Sequence, residues 1–451
     1  MAKPNPKRLL ALLEENAQSQ AKKAMRDAYR YYVNDNDIWQ RKRQYVGSDG
    51  IKVEEPLLSN SKLPHPFFPK IVDQKIGYLL SNPMSISCLD DPYAEALQGY
   101  FDKRFMRLLK AVGLEAILCG CAWLQVYYNQ EGKLSFIRIP SQELIPLWAD
   151  GAHTKLMAMV RVYQDNDPLG EESDVQQVEY YTDKTCIRYE LKGGKLTELE
   201  STAHITILAG EEVMDADFGR IPFVPFRYNG KEVPLITRLK ALIDEYDELS
   251  AVISDNIKDT PHDIKIIRGY TGKLGEFNHN VATYRAINLD ENGSVEQLTT
   301  TLDTTACEAQ LGRLRRDIYD AACAVDAQDA AQGNTSGVAI RLRYADLDMD
   351  CASMGAEFAA ALDELLHFID ADLIAKGQGD YRSKTADFLF NTDVSVNEME
   401  VIQACAQSQG LISKRSIVAN HPWVTDVEDE LEEMEGDAAD APNMPPGFML
   451  A

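Results

Sequence analysis

Apolar positions recur along this chain with two periods, and the switch between them marks its organisation. From Lys7 to Tyr32, Leu9, Leu10, Leu13, Ala17, Ala21, Ala24, Ala28 and Tyr31 fall at helical spacing, which predicts one amphipathic helix ended by the polar stretch Asn34 to Asp37. After a loop rich in Gly, Ser and Pro between Gly47 and Pro66, PKIVDQKIGYLLSNP predicts a second helix bounded by Pro69 and Pro83. Residues 93–118 are again helical in texture. From Trp123 to about Asn229 the period drops to two, in short runs such as WLQVYY, KLSFIRIP, LMAMVRVYQ, CIRYELKGG and PFVPFRYNG. These predict an antiparallel β region with hairpin turns at Gln130 to Lys133 and Lys192 to Lys195.

The helical period then returns in longer stretches. Leu235, Leu239, Leu242, Tyr246, Leu249 and Ile253 form a heptad-like seam, and a helix from Leu235 to Lys258 would span about 36 Å. Leu311, Leu314, Ile318, Ala321 and Val325 repeat the step. Ile340, Tyr344, Leu347, Cys351, Met354, Phe358, Leu362, Leu365, Ile369 and Leu373 continue it through a third helix, Val338 to Ile374, about 55 Å long. Between the first two helices lies an insert from Ile264 to about Leu302, read as strand DIKIIRGY, a Gly- and Asn-containing middle, strand YRAINL, a turn at Asp290 to Gly293 and strand SVEQL. Between the second and third lies the polar loop AQDAAQGNT. The C-terminal quarter holds a strand-like run DFLFNTDVSV, a helix capped by Asn397 with Glu400 and closing near Gly410, a helix capped by Ser413, and the acidic helix VTDVEDELEEMEGD before a loose tail.

Composition sharpens this picture in one respect. At 451 residues, 45% apolar and 26% charged, the chain has the makings of roughly three globular units. Its net charge of −25 is unevenly placed: residues 1–110 hold 18 basic and 13 acidic side chains, and the remainder holds 28 basic and 58 acidic. Affinity for nucleic acid comes largely from Lys and Arg displacing counterions, so tight DNA binding by an isolated subunit is not expected. No secretory leader or membrane span is read, and eight scattered cysteines without CxxC spacing read as reduced thiols in a cytoplasmic protein.

Candidate chemistry is sparse. There is no phosphate-cradling GxxxxGK[ST], and seven histidines lack HxH or HExxH spacing, so no cofactor or metal is expected. GQGDYR at Gly377 reads as a turn after the long helix, and Cys119 and Cys121 as packing residues. Asp346, Asp348 and Asp350 could suggest a two-metal carboxylate site, but Asp348 points away from the other two on a helix and the set reads as a solvated face. Arg313, Arg315 and Arg316 read as partners of neighbouring acids, with phosphate contact as the other option.

Taken in order, PKIVDQKIGYLLSNP, IPFVPFRYNG, KALIDEYDELSAVISDNIKD, IKIIRGYTG, LRRDIYDAACAVD, SGVAIRLRYADLDMD and VNEMEVIQACAQSQGLISKRSIVANHPWVTDVEDELEE resemble the portal proteins of tailed double-stranded DNA bacteriophages, in the subgroup typified by long-tailed Bacillus phages. The likeness runs from about Pro66 to Glu433. It implies an α+β portal fold: a wing of helices plus antiparallel β, a two-helix stem, a small α/β clip insert, a long helix and an α-helical crown. By the resemblance residues 1–233 are the N-terminal part of the wing, 234–260 and 304–326 the stem helices, and 261–303 the clip. Residues 327–335 are the tunnel loop, 336–376 the long wing helix, 377–396 a wing strand region and 397–451 the crown and acidic tail.

The resemblance further implies a structural, non-enzymatic ring of twelve copies at one capsid vertex, a conduit for genome packaging and ejection. Its implied partners are the large terminase subunit, a head-completion adaptor, the major capsid and scaffolding proteins, and duplex DNA passing through the channel, with no membrane. The implied location is the virion, after assembly in the host cytoplasm. Gln328, Asp329, Gln332 and Asn334 are then expected to face the channel axis. Arg313, Arg315, Arg316, Arg341 and Arg343 are the basic candidates for channel or interface, because the loop itself holds no Lys or Arg. Leu239, Leu242, Tyr246, Leu249, Ile253, Leu314 and Ile318 are expected to pack the stem, and Arg268, Tyr270, Tyr284 and Arg285 to lie in the docking region of the clip. The competing classes are a metal-dependent nuclease, which predicts divalent-ion-dependent cleavage, and a generic oligomeric virion scaffold without a DNA channel.

Overall fold

A computed structural model describes residues 3–46, 50–54, 58–164, 175–209, 212–259, 264–284, 287–290, 292–298, 304–330 and 337–390, together with 402, 405–419, 423, 424, 430, 431 and 434. The fold is α+β, and every strand pairing in its sheets is antiparallel.

The first predicted helix is two. Helix α1 (Pro6–Ala17) ends at Gln18, and α2 (Gln20–Tyr32) restarts at once because the Ser19 hydroxyl accepts from the Lys22 N–H at 3.2 Å. The two helices serve different cores: Leu9 and Leu13 pack with a β-sheet, whereas Ala28 and Tyr31 enter the main core. A 3₁₀ turn (Asp37–Gln40) and a small hairpin of β1 (Gln44–Val46) and β2 (Lys52–Glu54) follow. Helix α3 (Phe67–Leu80) starts before Pro69, which sits in the first turn where its missing N–H costs nothing. After β3 (Ser85–Cys88), the predicted helix over 93–118 is again split, into α4 (Asp91–Gln98) and α5 (Lys103–Cys119). Asp90 and Asp102 cap their N-termini.

Helix α5 closes at Gly120, whose φ of 82° leads straight into β4 (Cys121–Tyr128). Strands β4 and β5 (Leu134–Ile139) form a three-stranded sheet with a later strand, and β6 (Leu144–Trp148), β7 (Leu156–Gln164), β8 (Gln176–Tyr181), β9 (Thr185–Lys192) and β10 (Lys195–Ala203) form a five-stranded meander. The predicted turns stand: Gly193 and Gly194, both at positive φ, join β9 to β10, and Gly132 turns β4 into β5. A hairpin of β11 (Ile205–Ala209) and β12 (Glu212–Ala216) precedes β13 (Phe223–Arg227), which completes the three-stranded sheet beside β4.

The long helices follow as α6 (Ile236–Asp259), α8 (Thr304–Ala321) and α10 (Gly337–Ala375). The insert between α6 and α8 corrects its sequence reading. Strand β14 (Ile264–Arg268) pairs directly with β15 (Ser294–Leu298), and the middle is a helix, α7 (Leu274–Tyr284), rather than irregular chain. YRAINL is not a strand: Tyr284 closes α7 and residues 287–290 have no regular structure. The predicted tunnel loop also begins as one helical turn, α9 (Ala327–Ala330). Strand β16 (Ala386–Leu389) pairs with β3, and α11 (Lys414–Ala419) begins after Ser413 as expected. The start of the helix assigned to Asn397 and Glu400 and most of the acidic helix lie outside the described residues; Ile402 and residues 405–407 are helical, and Gly410 follows at a φ of 83°.

Helix α10 organises the core. Over 39 residues it runs about 58 Å, and Leu347, Cys351, Met354, Phe358, Leu362, Leu365, Ile369 and Leu373 are all buried, as the seam predicts. They pack with Ile71, Val72 and Leu79 of α3, Val112 and Ala116 of α5, and Phe226 of β13, whose ring meets Phe358 edge-on at 5.1 Å. Each such side chain contributes about 1.5–3 kcal/mol by leaving water. No helix among the described residues is long and apolar enough to cross a membrane.

Candidate functional site: paired helices and a polar strap

Helices α6 and α8 pack side by side and antiparallel. Leu235, Ile236, Leu239 and Ile243 at the start of α6 share one core with Ile318, Tyr319, Ala322 and Val325 at the end of α8, while Ile264 and Leu298 face each other where the insert leaves and returns. The near halves are therefore buried; the far half of α8 emerges into solvent, whereas on the far half of α6 Ala251 and Asp255 stay buried and Ile257 is 64% exposed.

The buried face of α6 is not the predicted seam. Leu239 is buried, but Leu242, Tyr246, Leu249 and Ile253 are half-buried, and the enclosed positions are Ile236, Leu239, Ile243, Asp247, Ala251 and Asp255. Two of those are aspartates. They are enclosed because residues 36–43 and 59–65, between α2 and α3, lie against α6 as a strap and meet its acids. The Asn36 amide and the His65 backbone N–H and Nδ1 bond Asp247 at 2.6, 3.0 and 2.7 Å. Arg41 Nη1 and the Ser61 N–H bond Asp255 at 2.5 and 2.7 Å. Arg43 and the Ser59 N–H bond Asp259, and Tyr31 and Lys240 bond Asp244. Burial alone would raise the carboxyls of Asp255 and Asp259, but these donors hold both below the ordinary aspartate range. Much of the basic excess of the N-terminal quarter is thus spent inside the chain. Sequence reading missed Asn36, Arg41, Arg43 and His65; the available signal was RKR at 41–43 and the four-residue step from Asp255 to Asp259.

At the other end of α8, Arg315 donates through Nε and Nη2 to both oxygens of Asp326, the Nη2 bond being 2.7 Å, and lies over the rings of Phe67 and Tyr319. Arg315 holds Asp326 below the ordinary aspartate range, and Asp326 in turn accepts from the Gln328 N–H at 3.1 Å and caps α9. The pairing option for Arg315 is the one realised. Arg313 is exposed, 3.8 Å from Asp317, and Arg316 is exposed with Nε on the Gly312 carbonyl. Arg343 is exposed on α10, and the Arg341 side chain lies outside the described residues. Gln328 is exposed on α9 rather than in a loop; Asp329 shares that turn, with its side chain outside the described residues, as are Gln332 and Asn334 altogether. Leu314 and Ile318 are buried as predicted.

In the insert, Arg268 is exposed opposite Glu296 at 3.7 Å, Tyr270 packs edge-on against Phe277, and Tyr284 is exposed; Arg285 lies outside the described residues. The solvated-face reading holds for exposed Asp346 and Asp348, the latter accepting from Tyr78 Oη at 3.0 Å, and fails for Asp350, which accepts from buried Lys75 and from Tyr228 Oη, both at 2.7 Å. Cys119 and Cys121 are buried thiols at the α5–β4 junction, pushed up by burial. Among the described residues no group of three or more His, Cys, Asp or Glu is placed to hold a metal ion.

Two antiparallel helices with a strand-and-helix insert between their far ends, followed along the chain by a 39-residue helix, are the element order that the resemblance to the portal class leads one to expect. This chain belongs to the family described as phage portal protein, SPP1 Gp6-like, whose model matches residues 13–443. The chain is 26% identical to the portal protein of Bacillus phage SPP1 over 446 residues, 96% of this chain and 87% of that one. It is also 26% identical to the portal protein of Clostridium phage phiCD119 over 420 residues, 88% of this chain and 89% of the relative. A solved virion of a native gene transfer agent particle matches with a TM-score of 0.46 at 12% identity, over 78% of this chain and 88% of that one. As a member of this family the chain is a structural connector rather than an enzyme, a virion component that works as an oligomeric ring in contact with capsid and DNA.

Proposed function

We propose that this chain forms a twelve-membered portal ring in which α6 and α8 are the stem, residues 261–303 the clip, 327–335 the tunnel loop, 336–376 the long wing helix and 397–451 the crown and acidic tail. Residues 1–233 and 377–396 complete the wing. The ring assembles in the host cytoplasm with scaffolding and major capsid proteins, docks the large terminase subunit during packaging, and later binds a head-completion adaptor through the clip around Arg268, Tyr270, Tyr284 and Arg285.

The observation that carries this reading is the antiparallel α6–α8 pair, joined to the main core at one end and carrying the insert at the other. Half-buried Leu242, Leu249 and Ile253 supply apolar surface for a neighbouring copy, and a heterologous contact repeated around an axis closes a ring. Gln328, Asp329, Gln332 and Asn334 face the axis. The chain's net charge of −25 suits a conduit, because an acidic wall repels phosphate and lets duplex slide where a basic wall would hold it. Arg315 is engaged by Asp326 and Arg313 lies 3.8 Å from Asp317; Arg313, Arg316, Arg341 and Arg343 remain the proposed basic residues of channel or interface.

The test joins microscopy to chemistry. Purified particles should be twelve-fold rings with an axial hole wide enough for duplex, and a cysteine at residue 328 or 332 should react with a small thiol reagent and be shielded when DNA occupies the hole. Rings without a hole, or full protection of both cysteines in empty rings, overturn the assignment.

A further inference from the structure

Residues 322–326 carry the chain from α8 to α9, and they are held by side chains from a helix some 250 positions earlier. Gln74 of α3 pairs with both backbone groups of Val325: its Nε2 donates to the carbonyl and its Oε1 accepts the N–H, each at 3.0 Å. Its neighbour Lys75 donates to the Cys323 carbonyl at 3.2 Å. Cys323 sits at a φ of +49°, a left-handed conformation that a non-glycine residue keeps only when its surroundings hold it. A surface turn would normally leave these groups to water.

Lys75 has no exposed surface, and burying an ammonium costs several kcal/mol unless it is paired. Its charge partner is Asp350 at 2.7 Å, on α10, and Asp350 is fixed in turn by Tyr228 Oη at 2.7 Å with Arg238 3.8 Å away. One ammonium therefore touches the carbonyl shortly before residues 327–336 and the carboxylate beyond them.

We propose that Gln74 and Lys75 are positioning residues for the turn that carries α8 into α9: α3 fixes the point at which the chain leaves α8 and ties that point to α10, so α8 and α10 cannot shift independently. The proposal rests on the portal reading only for the role of that segment, since the clamp itself is a local geometry.

The test uses assembled full-length protein. In Gln74→Leu the Val325 amide loses its acceptor, and its hydrogen exchange should accelerate by about tenfold or more while amides inside α3 and α8 keep their rates. In Lys75→Met the native Cys323 thiol reports by alkylation with iodoacetamide, with the sign as the discriminator. The ammonium favours the Cys323 thiolate, so loss of charge alone slows alkylation, whereas release of the turn speeds it. The expected result is severalfold faster alkylation, reversed by Lys75→Arg. Unchanged Val325 exchange, or slower Cys323 alkylation, overturns the proposal; if Lys75→Met fails to fold, the Gln74→Leu result decides alone. Reagent access at residue 328 judges the channel and Val325 exchange judges the clamp, so either can fail without the other.

Discussion

The Arg41 guanidinium lies 2.5 Å from the carboxylate of Asp255, joining a strap that precedes α3 to a helix more than two hundred residues later, with Asp255 only 3% exposed. This pair encloses an acid on the face of α6 where an apolar side chain would otherwise sit, and it fixes the strap near the C-terminal end of the helix.

Removing one partner of such a pair is costly. Arg41→Met leaves Asp255 enclosed with the Ser61 N–H as its remaining donor to the second oxygen, and should destabilise the protein by about 3–5 kcal/mol, read from the denaturant midpoint. The double variant Arg41→Met with Asp255→Leu should recover most of that loss. A loss below about 1 kcal/mol in the single variant would mean that the pair is solvated in solution.

The same acids set a pH dependence. Asp255 and Asp259, despite burial, and Asp326, chiefly through Arg315, have folded pKa values below the unfolded one of about 3.9. The unfolded chain binds the extra protons, so their stabilisation is complete above that value and lost as the pH falls through the folded pKa. Glu364 and Asp370 are raised by burial and act oppositely, giving back stability as the pH rises past the ordinary carboxylate range. The amides of Ser59 and Ser61, which donate to Asp259 and Asp255, should stay protected from pH 7 to 5 and lose protection below about pH 4.

Gly120→Ala should not be tolerated. The φ of +82° disfavours any side chain, and an added Cβ would stand 2.0 Å from the Glu232 carbonyl oxygen. Left-handed strain and overpacking together should cost about 3 kcal/mol or more, measured by thermal or denaturant unfolding.

Position along α6 should separate folding from assembly. Leu239 is fully enclosed within one chain, so Leu239→Asp should leave little folded protein. Leu249 is half-buried, so Leu249→Asp should keep the circular dichroism spectrum and shift sedimentation from ring to smaller species. Rings of normal size from Leu249→Asp would place the subunit contact elsewhere on the stem.

Legibility in the sequence followed locality. The α10 seam was readable from Leu347 to Leu373 because the helix packs apolar residues on a fixed period. The α6 seam was displaced to a neighbouring face because Asp247 and Asp255 read as polar, hence outward, while the donors that enclose them come from residues 36–65. The same limit hid Lys75 behind Asp350 and gave that one acid of the triplet a solvated reading. It also missed the breaks at Ser19 and Asp102, where capping side chains restart a helix inside an uninterrupted apolar pattern.

What the sequence alone determined was the order of elements, the hairpin turns set by local glycine conformations, the unbroken long helix and, through linked motifs, the portal family. What only the tertiary structure decided was which face of each helix is enclosed and which charges are paired. Periodicity reports the hydrophobicity of a side chain, but burial of a charge depends on a partner brought close by folding, and that partner has no fixed distance along the chain.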